Sequence, residues 1–317
     1  MQTQERINIL CTPDDNYIPY CGIMLTSLFE NNKQEDIAVY IICDTLCENN
    51  RVTMLKLGKE YGRQINIIKT TPESFVDCPI RDGDHVSIAA YYRLIAPLLL
   101  PKNLDKVLYL DCDIIINGNI RELYDTNITE KAFGAIIDEA YFINEKYERL
   151  QIPNNQSYIN SGVILFNLKY WRENDTCNKC MNYILCNREK IVLHDQDTLN
   201  AVLYDKIKSL PIKYNFQTGF MFTHFKYEER FFTEIKDVMF NPVIIHYTGN
   251  NKPWNEGCKH PYVKRFLYYK RISIWARHPF NKNKIAFTKK LKNLVYKALC
   301  ILNLKQEPKM FILNEQN

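Results

Sequence analysis

The first seventy residues alternate between two apolar rhythms. Arg6 to Thr12, Ile37 to Asp44 and Ile65 to Lys69 contain short, nearly continuous apolar runs, as strands buried on both faces do. Tyr17 to Glu30 and Glu48 to Tyr61 spread their apolar residues at helical spacing instead. This order predicts an α/β fold with a mostly parallel sheet covered by helices on both faces. Further along, Val86 to Leu99 predicts a helix that stops before Pro101, and Val107 to Ile116 predicts the next strand. Strands are expected at Ala132 to Asp138, Val163 to Asn167 and Val243 to Tyr247, with helices near Leu168 to Asn187 and Asp195 to Tyr204. No internal repeat or low-complexity block interrupts the pattern.

The strand at Val107 to Ile116 reads V-L-Y-L-D-C-D-I-I-I, so Asp111 and Asp113 interrupt an otherwise buried run. At alternate positions of one strand the two carboxylates would share a face, roughly 7 Å apart at the backbone, and repel each other. A divalent cation would relieve that repulsion and bridge the carboxylates to a diphosphate. Helix N-termini or a lysine are the other means of satisfying such a pair. His246 follows the apolar run Val243-Ile-Ile and is either a satisfied buried histidine or a third ligand. Two carboxylates with one imidazole suit manganese better than calcium, since imidazole is a softer donor than calcium prefers.

In open α/β sheets, ligands collect outside the carboxyl ends of the strands. Thr12-Pro-Asp-Asp-Asn16, Asp111-Cys-Asp113, Asp138 and His246-Tyr-Thr-Gly249 all fall at such ends and are expected to share one crevice. Neither a G-x-G-x-x-G nor a Walker loop occurs, so nucleotide phosphates need another counter-charge. Lys252, in the loop after His246, is within reach of such a phosphate.

At 317 residues and 46% hydrophobic, the chain can bury a large core. Nothing at the start resembles a signal peptide, and no apolar run approaches the roughly 18 residues of a membrane span, so a cytoplasmic protein is expected. The 11 cysteines are odd in number and scattered, which fits buried thiols better than a disulfide scaffold. Cys177-Asn-Lys-Cys180 lacks the second pair that a zinc site needs.

Net charge is +5, but Gly257 to Gln306 holds 13 Lys/Arg and no Asp or Glu, leaving 28 basic against 36 acidic residues elsewhere. Within that tail Phe287, Leu291, Leu294, Val295, Ala298, Leu299 and Leu302 recur at helical spacing, with Lys284, Lys289, Lys290, Lys292 and Lys297 mainly off the stripe. Such a helix suits the interface of an anionic membrane, or packs as an ordinary C-terminal helix. Nucleic acid is not an expected partner, since no recognised binding motif accompanies the basic residues.

Six stretches in order bring a family into view: Thr12-Pro-Asp-Asp-Asn-Tyr17, His85-Val-Ser-Ile-Ala-Ala-Tyr-Tyr-Arg93, Tyr109-Leu-Asp-Cys-Asp113, Tyr158-Ile-Asn-Ser-Gly-Val163, His194-Asp-Gln-Asp-Thr-Leu-Asn200 and His246-Tyr-Thr-Gly-Asn-Asn-Lys-Pro-Trp254. From about residue 7 to residue 257 the chain resembles the retaining glycosyltransferases of the lipopolysaccharide galactosyl- and glucosyltransferase type, glycosyltransferase family 8, which also contains glycogenin. The resemblance implies a single Rossmann-like, nucleotide-sugar-binding domain of the GT-A type over 1–257, with a mixed, mostly parallel sheet. Residues 258–317, beyond that resemblance, are expected from their own charge and periodicity to form a basic helical segment that either anchors at a membrane interface or packs on the domain.

The same resemblance implies site roles. Asp14 and Asn16 would contact uridine. Asp111, Asp113 and His246 would bind Mn²⁺, with Mg²⁺ the alternative ion. Gly249 and Lys252 would hold the diphosphate, and Arg93, Asn160 and Asp195 the donor sugar. Gln196 would face the reactive side of that sugar, with Asp195 beside it as the second catalytic candidate, and His85 and Asp138 would line the sugar and acceptor pocket. Ser161 departs from the family, which usually carries alanine there. The implied activity is transfer of galactose or glucose from a UDP-sugar to a glycan or glycolipid acceptor, lipopolysaccharide or lipooligosaccharide core, by an enzyme peripheral on the cytosolic face of the membrane. A nucleotide-sugar-binding protein without turnover and a self-glucosylating transferase like glycogenin are the alternatives.

Overall fold

Among the residues described by this computed structural model, 5–80, 87–222 and 228–282, ten strands form two sheets. The strands are β1 Ile7–Cys11, β2 Ile37–Cys43, β3 Gln64–Lys69, β4 Lys106–Leu110, β5 Ile114–Ile116, β6 Phe133–Ile137, β7 Ile159–Asn167, β8 Ile207–Ser209, β9 Phe216–Gln217 and β10 Ile244–His246. The helices are α1 Ile18–Asn31, α2 Glu48–Glu60, α3 Ala96–Leu99, α4 Arg121–Tyr124, α5 Asn144–Leu150, α6 Leu168–Glu173, α7 Thr176–Cys186, α8 His194–Leu203, α9 Glu229–Val238 and α10 Val263–Ile272.

The larger sheet has the order β3-β2-β1-β4-β7-β6-β8 and the smaller β5-β10-β9. β1 pairs in parallel with both β2 and β4, so the direction of winding reverses between β1 and β4. β7 runs antiparallel to β4 and β6, which makes the sheet mixed. Along β1, Ile7, Ile9 and Cys11 enter one core cluster and Leu10 the other; β2 alternates likewise. Two-sided burial therefore explains runs that show no polar alternation.

Three predicted elements are broken in the structure. The helix expected over Val86 to Leu99 is a 3-10 segment, Ile88–Leu94, followed by the short α3. Pro97 lacks the N–H that would bond back to the Arg93 carbonyl, so a continuous α-helix cannot pass this point without losing a bond. The helix expected over Leu168 to Asn187 is divided between α6 and α7, where Asp175 adopts a left-handed φ of 50°. The strand expected over Val107 to Ile116 stops at Leu110 and resumes as β5 in the other sheet. Asp111 and Asp113 therefore occupy a turn between two sheets, rather than alternate positions on one strand.

Residues 258–282 pack on the domain. Tyr262, Phe266, Tyr269 and Trp275 join the core cluster of α1, and a Cβ on Gly22 would lie only 2.0 Å from the Trp275 ring. That close approach is what requires glycine inside α1. Asn281 donates its backbone N–H to the Trp254 carbonyl at 2.9 Å and accepts from the Tyr20 hydroxyl at 3.1 Å. The amphipathic basic stretch predicted beyond this point lies outside the described residues. No helix among the described residues is long and apolar enough to cross a membrane.

His260 is 1% exposed, and its Nδ1 accepts the Tyr262 N–H at 3.2 Å. Burial, helped by the positive charge of Lys252, pushes its pKa down from 6.5 to about 3. The unfolded chain then binds a proton that the folded chain refuses. Stability from this residue is complete above about pH 6.5 and is lost progressively as the pH falls toward the folded value. Urea melts should show wild type losing about 1–2 kcal/mol more than His260→Gln between about pH 6.5 and about pH 4.5. Parallel losses in the two proteins would exclude His260 as the source.

Candidate functional site

A cavity of about 710 Å³ opens at the carboxyl rim of the larger sheet, where β1 and β4 diverge. Thr12 and Asp14 follow β1, Asp111 and Asp113 follow β4, and Asp138 follows β6. β7 runs the other way, so its beginning, Asn160-Ser-Gly162, reaches the same rim. A register shift between β6 and β7 pairs Ala135 with Ile164 but Ile136 with Asn160, which frees residues 161–163 to bend toward β4. There the Gly162 carbonyl accepts the Asp111 N–H at 2.9 Å.

The smaller sheet supplies the opposite wall. His246 pairs with Ile114 across β5 and β10, and the Tyr247 N–H donates to the Asp113 carbonyl at 2.9 Å. One ligand atom each from Asp111, Asp113 and His246 lie within 4.8 Å of one another. A Cβ on Gly162 would fall 2.2 Å from His246 Cε1 and 2.9 Å from Asp111 Oδ2. The cradle thus needs glycine, and its two carboxylates and imidazole form a donor set suited to a divalent transition-metal ion.

The charges around this cradle do not balance. Tyr109 donates to Asp111 Oδ1 at 2.6 Å, and Arg93 reaches the same oxygen at 3.0 Å and Asp195 Oδ2 at 3.2 Å. Lys252 pairs with Asp113 Oδ2 and donates to the Tyr247 carbonyl at 2.8 Å. Burial alone would raise the Asp113 carboxyl, but Lys252 and His246 outweigh it and hold the group far below the usual carboxylate range. Burial raises Asp195 despite Arg93 beside it. Three carboxylates, Asp111, Asp113 and Asp195, thus face two fixed cations, Arg93 and Lys252, which leaves room for further positive charge.

On the other side of the cavity, His194 opens α8 with a left-handed φ of 50°. Asp197, fully buried, holds that bend by accepting from the backbone N–H groups of Val192 at 2.7 Å and Leu193 at 2.8 Å, from Arg149 at 2.8 Å and from the Tyr158 hydroxyl at 2.5 Å. The bend turns Asp195 and Gln196 into the cavity. Gln196 Oε1 accepts from the Ser161 N–H at 3.1 Å and Asn160 Nδ2 at 3.2 Å, while its Nε2 donates to Asp138 Oδ2 at 3.1 Å. Lys146 caps the assembly, 2.8 Å from Asp138 Oδ1 and 4.4 Å from the centre of the Tyr158 ring.

Of the residues singled out in the sequence, Asp14, Arg93, Asp111, Asp113, Asp138, Asn160, Asp195, Gln196, His246, Gly249 and Lys252 line this one cavity. Asn16 is exposed and outside the lining; Asp14 also accepts the Tyr17 N–H at 3.0 Å, capping the turn before α1. His85 lies outside the described residues. Tyr109, Gly162, Lys146 and Asn215 escaped the sequence reading. Tyr109 and Gly162 had a signal, since both sit inside the ordered motifs, whereas Lys146 and Asn215 look like ordinary polar residues until the fold buries them.

The sequence model described as "Glycosyl transferase family 8" matches residues 8–258. A lipopolysaccharide 1,2-glucosyltransferase of Escherichia coli is 30% identical over 305 residues, 93% of this chain and 88% of that protein. General stress protein A of Bacillus subtilis is 28% identical over 283 residues, 87% of this chain and 96% of its own. Among solved structures, the galactosyltransferase LgtC in complex with donor and acceptor sugar analogues superposes with a TM-score of 0.76 at 25% identity, covering 84% of this chain and 96% of that one. Its likeness extends to the GT-A-type arrangement of a mixed, mostly parallel sheet.

Gly162→Ala is expected to weaken divalent-cation uptake in titration calorimetry at least about tenfold, because the added methyl displaces His246. Far-ultraviolet circular dichroism should confirm that the fold is retained. Unaltered affinity in the folded variant would place the ion away from this cradle.

Proposed function

The chain belongs to glycosyltransferase family 8, and from that premise we propose that it transfers galactose or glucose from a UDP-sugar to a hydroxyl of a glycolipid acceptor, with retention at the anomeric carbon. The convergence of Asp111, Asp113 and His246 on the Gly162 cradle carries the proposal. These three side chains would hold Mn²⁺, or Mg²⁺ as the alternative ion. Bound there, the ion supplies counter-charge to the diphosphate that departs with its extra negative charge. The lipopolysaccharide glucosyl- and galactosyltransferases among the relatives suggest a lipopolysaccharide or lipooligosaccharide core acceptor.

The chain's own residues divide the work. Asp14 binds uridine, with Asn16, exposed and outside the cavity lining, as the second contact that the family resemblance implies. Lys252 and the backbone of Gly249 hold the diphosphate, with Lys252 exchanging its pairing to Asp113 for the phosphate oxygens. Arg93, Asn160 and Asp195 orient the donor sugar, and Arg93 keeps the buried Asp195 carboxyl paired. Gln196 presents its carboxamide beside the sugar, and Asp138 borders the acceptor, a role the family resemblance also implies for His85.

A carboxamide already engaged by Ser161 and Asn160 is a poor nucleophile. Attack by the acceptor hydroxyl on the face the diphosphate leaves therefore fits better than double displacement, with a diphosphate oxygen accepting the hydroxyl proton. Trapping of a covalent sugar on Asp195 or Gln196 would overturn that assignment.

A panel of UDP-sugars assayed with and without Mn²⁺ is the direct test, and calorimetry should show UDP binding strengthened by the ion. Asp113→Asn should lower transfer by at least about a thousandfold while leaving the fold intact; near-normal turnover in that variant would remove the cation from the reaction.

The basic segment after Lys282 fits an anionic membrane surface, which would place the enzyme on the cytosolic face where a lipid-anchored acceptor is extended. Because Asn281 is tied to Tyr20 and Trp254, the appropriate truncation follows Lys282. Removal of 283–317 should release the protein from anionic vesicles without abolishing UDP-sugar hydrolysis, and undiminished vesicle binding would count against the anchor.

A further inference from the structure

Asn215, the residue before β9, is fully buried behind the cavity wall and joins the two halves of the site. The direction of its hydrogen bonds follows from two backbone donors. The Gly162 N–H can only donate, so the atom of Asn160 it meets at 3.0 Å is the carbonyl oxygen. Asn215 approaches that same oxygen at 2.8 Å and must present its amide nitrogen there. Its own carbonyl oxygen therefore faces His246 Nδ1, at 2.8 Å. An amide oxygen only accepts, so Nδ1 carries a hydrogen and Nε2 is the nitrogen that faces Asp113 at 3.2 Å and Asp111 at 3.9 Å.

At the other end the Ser161 N–H fixes Gln196 Oε1, so Gln196 Nε2 donates to Asp138. Every link points one way, from His246 through Asn215, Asn160 and Gln196 to an Asp138 carboxylate that Lys146 neutralises. Reversing any amide sets two oxygens or two N–H groups against each other in a dry interior, which is why a fully satisfied buried chain behaves as a unit.

We propose that Asn215 is a positioning residue for the transfer reaction: it holds His246 as the Nδ1–H tautomer with Nε2 free for a cation and, through Asn160, sets the face that Gln196 shows the donor sugar. The proposal rests on the glycosyltransferase reading above for its consequences on turnover, though not for the tautomer itself. A ligating histidine needs its remote nitrogen oriented, and loss of that partner typically costs about 10- to 100-fold in metal affinity.

The experiment combines imidazole ¹⁵N shifts of histidine-labelled protein with Mn²⁺ calorimetry and steady-state kinetics. Wild type should show His246 protonated at Nδ1. Asn215→Ala should mix the tautomers and weaken Mn²⁺ binding at least about tenfold. Asn215→Asp keeps an acceptor for Nδ1–H but cannot donate to Asn160. It should retain Mn²⁺ affinity within about threefold while kcat falls at least about tenfold and the donor KM changes less. Cation affinity and kcat lost in equal proportion in both variants, as a merely structural role would give, overturn the proposal. So does an Nδ1 without a hydrogen in wild type, a result that stands even if neither variant folds. Absence of any Mn²⁺ binding to wild type would instead sink the Mn²⁺-dependent reading of the transfer reaction and leave the tautomer result intact.

Discussion

Two carboxylates forced together at the seam of two sheets are the constraint around which the rest of this molecule is arranged. With oxygens of Asp111 and Asp113 within 4.8 Å, their repulsion is of order 3 kcal/mol at an effective dielectric near 20. β4 ends one residue before the first carboxylate and β5 begins one residue after the second, so the turn cannot relax without unpairing a strand. Arg93 and Lys252 offset part of the repulsion, and each is held by a further contact, Arg93 to the Ser161 carbonyl at 2.6 Å and Lys252 to the Tyr247 carbonyl.

Those partners arrive from distant parts of the chain for separate mechanical reasons. Pro97 ends the regular bonding that would have made residues 86–99 one helix, and the tighter 3-10 winding of Ile88–Leu94 carries Arg93 under the carboxylates. The antiparallel course of β7 brings Asn160 to Gly162 to the rim, and the register shift against β6 bends them inward. The left-handed residue at His194, stabilised by four donors to Asp197, faces Asp195 and Gln196 into the same space. A backbone outlier at a binding cleft, held by its surroundings, is where strain of about 1 kcal/mol or more can be kept for function.

The site is built in two halves with different electrostatics. Around Asp111 and Asp113 negative charge is left in excess, as a cation site requires. Around Gln196 the polar groups are closed among themselves: Asp138 has Lys146, and the amides satisfy one another. Asn215 is where the two halves meet. A cation drawn to the first half would polarise His246 and, through the buried amides, the second, since hydrogen bonds in a low-dielectric interior reinforce those in line with them.

The sequence by itself determined the α/β class, the strands β1 to β3, and the identity of most of the polar side chains that line the cavity, because apolar periodicity and strand-end position are local properties. The ordered motifs carried the family as well. It misread Val107 to Ile116 as one strand, since an apolar run of ten residues reads the same whether it stays in one sheet or crosses to another. Only tertiary structure decided that crossing, the bend of β7, and the burial of Lys146 and Asn215. Those depend on which strands are neighbours and in what register, and a polar residue becomes a hydrogen-bonded positioning group only when chain segments far apart in sequence exclude water around it.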